Sequence, residues 1–157
     1  MKIICFHNPD EENGYLSNWY KSDFSIDGIL YSSLEQYMMH QKACLFCDFS
    51  IANKILNTDD VSSIKKLGRE VDNYNDSIWN GVRQIIVYKG LLEKFSQNQD
   101  LRNKLLATDD DILAECAVND IIWGIGLSMT DLNRLNINKW KGQNLLGYTL
   151  TSVRSCL

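Results

Sequence analysis

A single proline, Pro9, is the only one in the chain. From residue 10 onward nothing forces a helix to break or removes a donor from a strand ladder. Element boundaries must therefore be written in glycines and polar caps. No proline-rich linker, internal repeat or low-complexity tract divides the sequence. One domain spanning 1–157 is expected, burying roughly 70% of its unfolded surface and holding a core without disulfide or metal.

The punctuation sorts the chain into elements. Residues 2–7 form a short β-rich run, and Phe24–Tyr31 is a hairpin signal, since Asp27-Gly28 supplies the positive φ angles of a tight turn. The first thirty residues as a whole are expected to be strand. Ser32 with Glu35, or Ser33 with Gln36, fits a capping box opening a helix over 33–47. Further helices are expected near 50–56, 61–67 (with Gly68 as C-cap), 76–96 and 99–107. Residues 112–127 hold β-compatible segments broken at Asn119-Asp120 and by Gly124 and Gly126. A last helix runs to about Arg154. Strands, helices and strands again predict an α+β fold, a compact and mostly helical domain with a small sheet and hairpin component.

Composition narrows the function classes. Hydrophobic residues at 45% and a net charge of −4 exclude intrinsic disorder. No apolar run approaches the roughly 18 residues needed to cross a bilayer, and the four-residue apolar start is too short for a signal-peptide core, so a cytoplasmic protein is expected. A pI near 5.1 argues against wrapping a long nucleic-acid backbone, though not against a local basic pocket for one phosphate. Five cysteines, at 5, 44, 47, 116 and 156, form no even disulfide framework and read as reduced thiols.

The helix after the hairpin carries the most chemistry. Glu35 and Lys42 are seven apart, so they project from nearly one face with Cα atoms about 10 Å apart along the axis. Helical side chains lean toward the N-terminus, bringing Lys42 back toward Glu35. A partly dry face lined by Met38 and Met39 would lower a lysine pKa and raise that of a glutamate. A neutral lysine can attack a carbonyl-like carbon and form a Schiff base. The plainer reading makes Glu35 a capping-box residue and Lys42 a solvated one.

Other motifs are weaker alone. Cys44-x-x-Cys47 with His40 one turn earlier cannot wrap a metal from a single helix, so no metal is signalled and packing is the reading. Arg69 and Arg83 could each fork hydrogen bonds onto a phosphate, or simply face solvent. Trp19, Trp79, Trp123 and Trp140 could stack on a base or fill the core. Gly142-Gln143-Asn144 opens the last helix, either as a phosphate seat made of free N–H groups or as a turn with an Asn cap.

Taken in order, these segments resemble the NADAR family of YbiA-like N-glycosidases, named for NAD and ADP-ribose. The matching pieces are Leu16-Ser17-Asn18-Trp19, Ile26-Asp27-Gly28, Tyr31-Ser32-Ser33-Leu34-Glu35-Gln36-Tyr37-Met38-Met39 and Gln41-Lys42-Ala43. They continue with Leu67-Gly68-Arg69, Trp79, Lys94-Phe95, Leu105-Leu106-Ala107-Thr108 and Asp120-x-x-Trp123-Gly124-x-Gly126. Gly142-x-Asn144-x-Leu146-Gly147 and Val153-Arg154 complete the set. The resemblance implies cleavage of N-glycosidic bonds to ribose. One branch removes ADP-ribose from guanine as the antitoxin to guanine-modifying DarT-type toxins, and another acts on ribosylated riboflavin-pathway intermediates.

Carried over by position, the family's glutamate and lysine fall on Glu35 and Lys42. Arg69 and the Asn144 loop become candidates for pyrophosphate and ribose. Trp79 and Trp123 become candidates for stacking, with Asn18, Asp120 and Gly126 lining the pocket. No cofactor or metal is implied; the implied partners are ADP-ribosylated guanine and a cognate toxin encoded nearby, with no membrane. Two departures stand out. Many relatives carry an acid between the two glycines where this chain has Ile125, which counts against the flavin branch. The residue after Glu35, often histidine in relatives, is Gln36. Two other classes are a non-catalytic ADP-ribose reader, which would have no use for the Glu35/Lys42 pair, and a redox or metal protein built on Cys44 and Cys47, which lacks ligands.

Overall fold

At the Asp27-Gly28 turn, φ is 52° and 80°, the positive pair that a two-residue hairpin demands. It joins β2 (Lys21–Ile26) to β3 (Ile29–Ser33), paired antiparallel with Phe24 opposite Tyr31 and Ile26 opposite Ile29. This is seen in a computed structural model describing residues 1–157. The chain divides into two units, residues 21–98 and residues 1–20 with 99–157.

In the unit of residues 21–98, the hairpin leads directly into α1 (Leu34–Leu45), followed by α2 (Phe49–Leu56), α3 (Val61–Arg69) and α4 (Asp76–Gln97). Each helix starts on a side-chain cap that relieves an orphan N–H: Ser33, Asp48, Asp60 and Asn75 accept from Gln36, Ile51, Ser63 and Ile78. Helix α1 is buried almost from end to end and packs against α2, α3 and α4. Gly68 was expected to end α3 but lies inside it, with Glu70 as the cap. Any side chain at 68 would collide with Met39 of α1, so the glycine serves close helix packing rather than termination.

In the other unit, β1 (Ile3–Phe6) pairs in parallel with β4 (Ile112–Glu115), Cys5 lying opposite Ala114. Residues 7–20 contain a single 3₁₀ turn (Gly14–Leu16) and no strand, which corrects the expectation of an all-strand start. α5 (Gln99–Leu106) precedes β4, and α6 (Leu145–Arg154) packs on it. Of the β-compatible stretch 112–127 only β4 is strand. The rest is held by ladders of another kind: Ile125 N–H donates to Glu115, and its carbonyl accepts from Lys141 and Gly142.

Asn144 clamps this unit together. It is fully buried in the left-handed region (φ 54°), its Oδ1 accepting from Glu115 N–H at 3.1 Å and its Nδ2 donating to Leu113 C=O at 2.8 Å. Replacing it by alanine strands two buried backbone groups. Asn144→Ala should lower the unfolding free energy by about 2–4 kcal/mol in urea titration; a loss below about 0.5 kcal/mol would show that the clamp does not hold the unit.

Candidate active site

The register of the α1 cap decides which of Glu35 and Gln36 serves the helix start. Ser33 is the N-cap, so Gln36 rather than Glu35 occupies the third helical position. Gln36 is wholly engaged. Its Oε1 accepts from Ser32 N–H at 2.8 Å, and its Nε2 donates to the carbonyls of Ile55 (3.1 Å) and Thr58 (2.8 Å) at the end of α2. The capping-box reading of Glu35 is thereby replaced. Glu35 is a carboxylate only 4% exposed, and its charge acts on Lys42.

Lys42 is not a solvated residue. Its Nζ donates to Gly68 C=O at 2.7 Å, one of the carbonyls that the last turn of α3 leaves without a helical partner. The ammonium lies 4.6 Å from the centre of the Tyr74 ring and 5.8 Å from that of Trp79, both within cation–π reach. Three effects move its pKa. Desolvation, the largest, lowers it; Glu35 opposes that; and Arg69 lowers it further. The net shift is downward, toward the neutral amine that a nucleophile requires.

Arg69 ends α3 next to the carbonyl that holds Lys42. Tyr74 precedes Asn75, the cap of α4; its hydroxyl donates to Asp76 at 2.8 Å and its ring meets Phe46 edge-on at 5.3 Å. Arg83 lies close enough to act electrostatically on Tyr74. Glu35, Lys42, Arg69 and Trp79 thus fall in one unit, joined by Tyr74 and Arg83. Trp79 differs from expectation: at 6% exposed it has no open face for a base and instead flanks Lys42. Tyr74, 42% exposed, is the accessible ring, and sequence reading passed over it. The available signal was a lone aromatic within the polar run Asp72-Asn73-Tyr74-Asn75-Asp76.

The remaining candidates belong to the other unit. Asn18 is buried with Oδ1 lacking any hydrogen-bond partner. Asp120 shapes its own loop, one carboxylate oxygen accepting from Ile122 (3.0 Å) and Trp123 (2.8 Å) N–H groups. Trp123 is half-buried, and Gly126 holds φ +70°. The anion seat expected at Gly142–Asn144 is already filled. The N–H groups of Gly142, Gln143, Asn144, Leu145 and Leu146 donate to carbonyls of residues 121–125, and the Asn144 side chain is committed to β4. His40 is engaged too, its Nδ1 on the Tyr31 hydroxyl at 2.9 Å, leaving Nε2 to Cys44 at 3.6 Å. A shallow depression of about 540 Å³ lined by Asp23, Ser32, Gln36 and Asp59 among others takes in none of Glu35, Lys42, Arg69 or Trp79.

The chain resembles known proteins along nearly its whole length. Residues 5–157 match the NADAR domain. The chain belongs to the NADAR family. An N-glycosidase of Acanthamoeba polyphaga mimivirus is 38% identical over 161 residues, covering 98% of this chain and 95% of that protein. A riboflavin biosynthesis protein of Vibrio vulnificus is 32% identical over 96% of this chain, which spans 37% of that longer protein. The NMR structure of Escherichia coli YbiA matches at a TM-score of 0.81 and 29% identity, over 99% of this chain and 84% of that one. YbiA is itself named an N-glycosidase. The α+β NADAR fold is therefore that of this chain, and its relatives support N-glycosidase activity in general. No helix is long and apolar enough to cross a membrane.

The charges around Lys42 make opposite predictions. Glu35→Gln removes the group holding the Lys42 pKa up, so the midpoint of its acylation should move to lower pH. Arg69→Gln removes a repelling cation, so the midpoint should move to higher pH. Peptide-resolved acylation rates across pH 6–11 measure both; coincident midpoints in all three proteins would mean that neither charge reaches the amine.

Proposed function

We propose that this chain, acting as one domain over residues 1–157, is a cytoplasmic N-glycosidase that removes ADP-ribose from ADP-ribosylated guanine, in nucleic acid or as a nucleotide. The observation that carries this reading is Lys42. It is a desolvated amine with a lowered pKa, bracketed by Tyr74 and Trp79 and facing the charge of buried Glu35. A non-catalytic reader of ADP-ribose needs no such pair. The substrate on this reading is the product of a guanine-modifying ADP-ribosyltransferase. A toxin of that class encoded nearby is the proposed partner.

Breaking a ribosyl N-glycoside develops cationic character at C1′ and charge on the leaving nitrogen. In the proposed sequence Glu35 takes a proton from the Lys42 ammonium, the freed lone pair bonds to C1′ while the bond to guanine breaks, and Glu35 passes that proton to the leaving nitrogen. The ribose ring oxygen then departs as a hydroxyl, leaving a Schiff base between C1′ and Nζ. Water adds to that carbon, Nζ leaves, and the net change is hydrolysis to guanine and ADP-ribose. Arg69 and Arg83 supply guanidinium forks suited to pyrophosphate, and the exposed Tyr74 ring a stacking surface.

A second reading, hydrolysis of a ribosylated riboflavin-pathway intermediate, is favoured by the name of the Vibrio vulnificus relative. Ile125 weighs against it. Where many relatives carry an acid, this side chain is fully buried in an apolar cluster with Ala114, Cys116 and Leu127.

The test is release of ADP-ribose or ribose phosphate from ADP-ribosylated guanosine, free and in an oligonucleotide, beside the flavin-pathway substrate. Turnover of the guanine adduct is expected. Glu35→Gln, which preserves the cap because Ser33 and Gln36 supply it, should slow cleavage by about 10²-fold or more. Lys42→Ala should be inactive, and Lys42→Arg also, since a guanidinium stays protonated and cannot form an imine. Borohydride added during turnover should leave an ADP-ribosyl mass on the peptide containing Lys42. An active Lys42→Ala overturns the mechanism, and binding without cleavage by the wild type overturns the activity.

A further inference from the structure

Two sulfurs meet far from this chemistry in sequence. Cys5 on β1 lies opposite Ala114 on β4. Residues two apart on a strand share a face, so Cys116 follows Ala114 on the side that Cys5 occupies. The pairing persists past the strand end, where Cys116 N–H donates to Phe6 C=O at 2.8 Å. Cys5 packs on the apolar cluster that contains Cys116. Cys116 Sγ also lies 3.8 Å from Ala114 C=O.

The two differ in surroundings. Cys116 is 1% exposed, whereas Cys5 is half-buried. The Arg134 guanidinium lies near enough to act on Cys5 by charge. The arginine is fixed in place: Nη1 donates to Asp131 C=O at 3.0 Å, and its own carbonyl accepts from Trp140 Nε1 at 2.8 Å. Its Nε is buried without a hydrogen-bond partner, a donor that a nearby anion would satisfy. The Cys116 contact, the largest influence, and then Arg134 hold the Cys5 thiol down at about 7 against the opposing effect of burial. The same contact, burial and the neighbouring Glu115 push Cys116 up. Cys5 is the sulfur nearer solvent, and Cys116 the one shut inside.

We propose that Cys5 and Cys116 form a peroxide-oxidisable thiol pair, a disulfide modification site on the β1–β4 seam. The Cys5 thiolate attacks one oxygen of a hydroperoxide, the O–O bond breaks, and hydroxide leaves, giving a sulfenic acid. The Cys116 sulfur then attacks the Cys5 sulfur, the S–OH bond breaks, and the Cys116 proton goes with the departing hydroxide as water. Two thiols and hydrogen peroxide yield one disulfide and two waters. The bond would tether the first residue of the segment carrying Asp120, Trp123 and Gly126 to β1. Cys44 and Cys47 are poorer candidates, because burial and then Cys47 push the Cys44 thiol up.

The full chain, treated with substoichiometric hydrogen peroxide, alkylated and digested without reduction, tests this. A Cys5–Cys116 cross-linked peptide, reversed by dithiothreitol, should form before any product involving Cys44, Cys47 or Cys156. In unoxidised protein, alkylation of Cys5 should have a midpoint near pH 7, against about 8.5 for a free cysteine. Arg134→Gln keeps both sulfurs and should move that midpoint upward, which covers the case of a Cys5→Ser variant that fails to fold. A wild-type midpoint near 8.5, a first cross-link lacking either cysteine, or a midpoint unmoved in Arg134→Gln would each overturn the proposal.

Discussion

One hydrogen bond, from Gln36 N–H to Ser33 Oγ at 3.1 Å, fixes where α1 begins and so whether Glu35 or Gln36 takes its third position. Had Ser32 been the cap, Glu35 would have occupied the third position and been drawn back to the backbone. With Ser33 as cap that position falls to Gln36, which ties the end of α2 to the start of α1. An amide suits this place because it accepts from Ser32 and donates twice to carbonyls, which a carboxylate cannot do. The amide at position 36 has a physical account in these three bonds. Glu35 is left buried at the second position of a helix, where the macrodipole favours its negative charge.

The same helix delivers Lys42 to the opposite kind of helix end. The last turn of α3 presents carbonyls without intrahelical partners, and Gly68 brings that turn close to α1 because no side chain separates it from Met39. Lys42 and Arg69 therefore converge where the α3 dipole is negative, which offsets part of the cost of crowding two cations. Desolvation still wins at Lys42, and its pKa falls.

Much of this was legible in the sequence, for reasons that can be named. With one proline, caps carry the boundary information, and Asp48, Asp60 and Asn75 open helices that the pattern placed within a residue or two. The hairpin followed from Asp27-Gly28 alone. What stayed hidden depended on partners distant in sequence. A glycine within a helix reads as a stop until Met39 is seen against it. Asn144 reads as a cap or an anion seat until β4 is found to take both ends of its amide. Residues 116–127 read as strand because their hydrophobicity is real, yet the carbonyls of 121–125 pair with residues 141–146 rather than with another strand. The Glu35 and Lys42 pairing was visible as spacing, whereas Tyr74, supplied by a turn, has no periodicity to announce it.

The resting arrangement of Lys42 also sets a condition on its reactivity. Cation–π attraction to Tyr74 and Trp79 exists only for the ammonium, and the hydrogen bond to Gly68 is stronger from a charged donor. The form that these groups hold is thus the form that cannot attack. Losing the proton removes the attraction to both rings and weakens the tether in one step, freeing the side chain as its lone pair appears. Glu35 works against that step electrostatically while offering a base to receive the proton, and Arg69 favours it. A phosphate drawn to Arg69 would diminish the arginine's repulsion of Lys42 and raise the amine's pKa. The lysine must therefore be balanced by burial, the one influence that substrate charge does not screen.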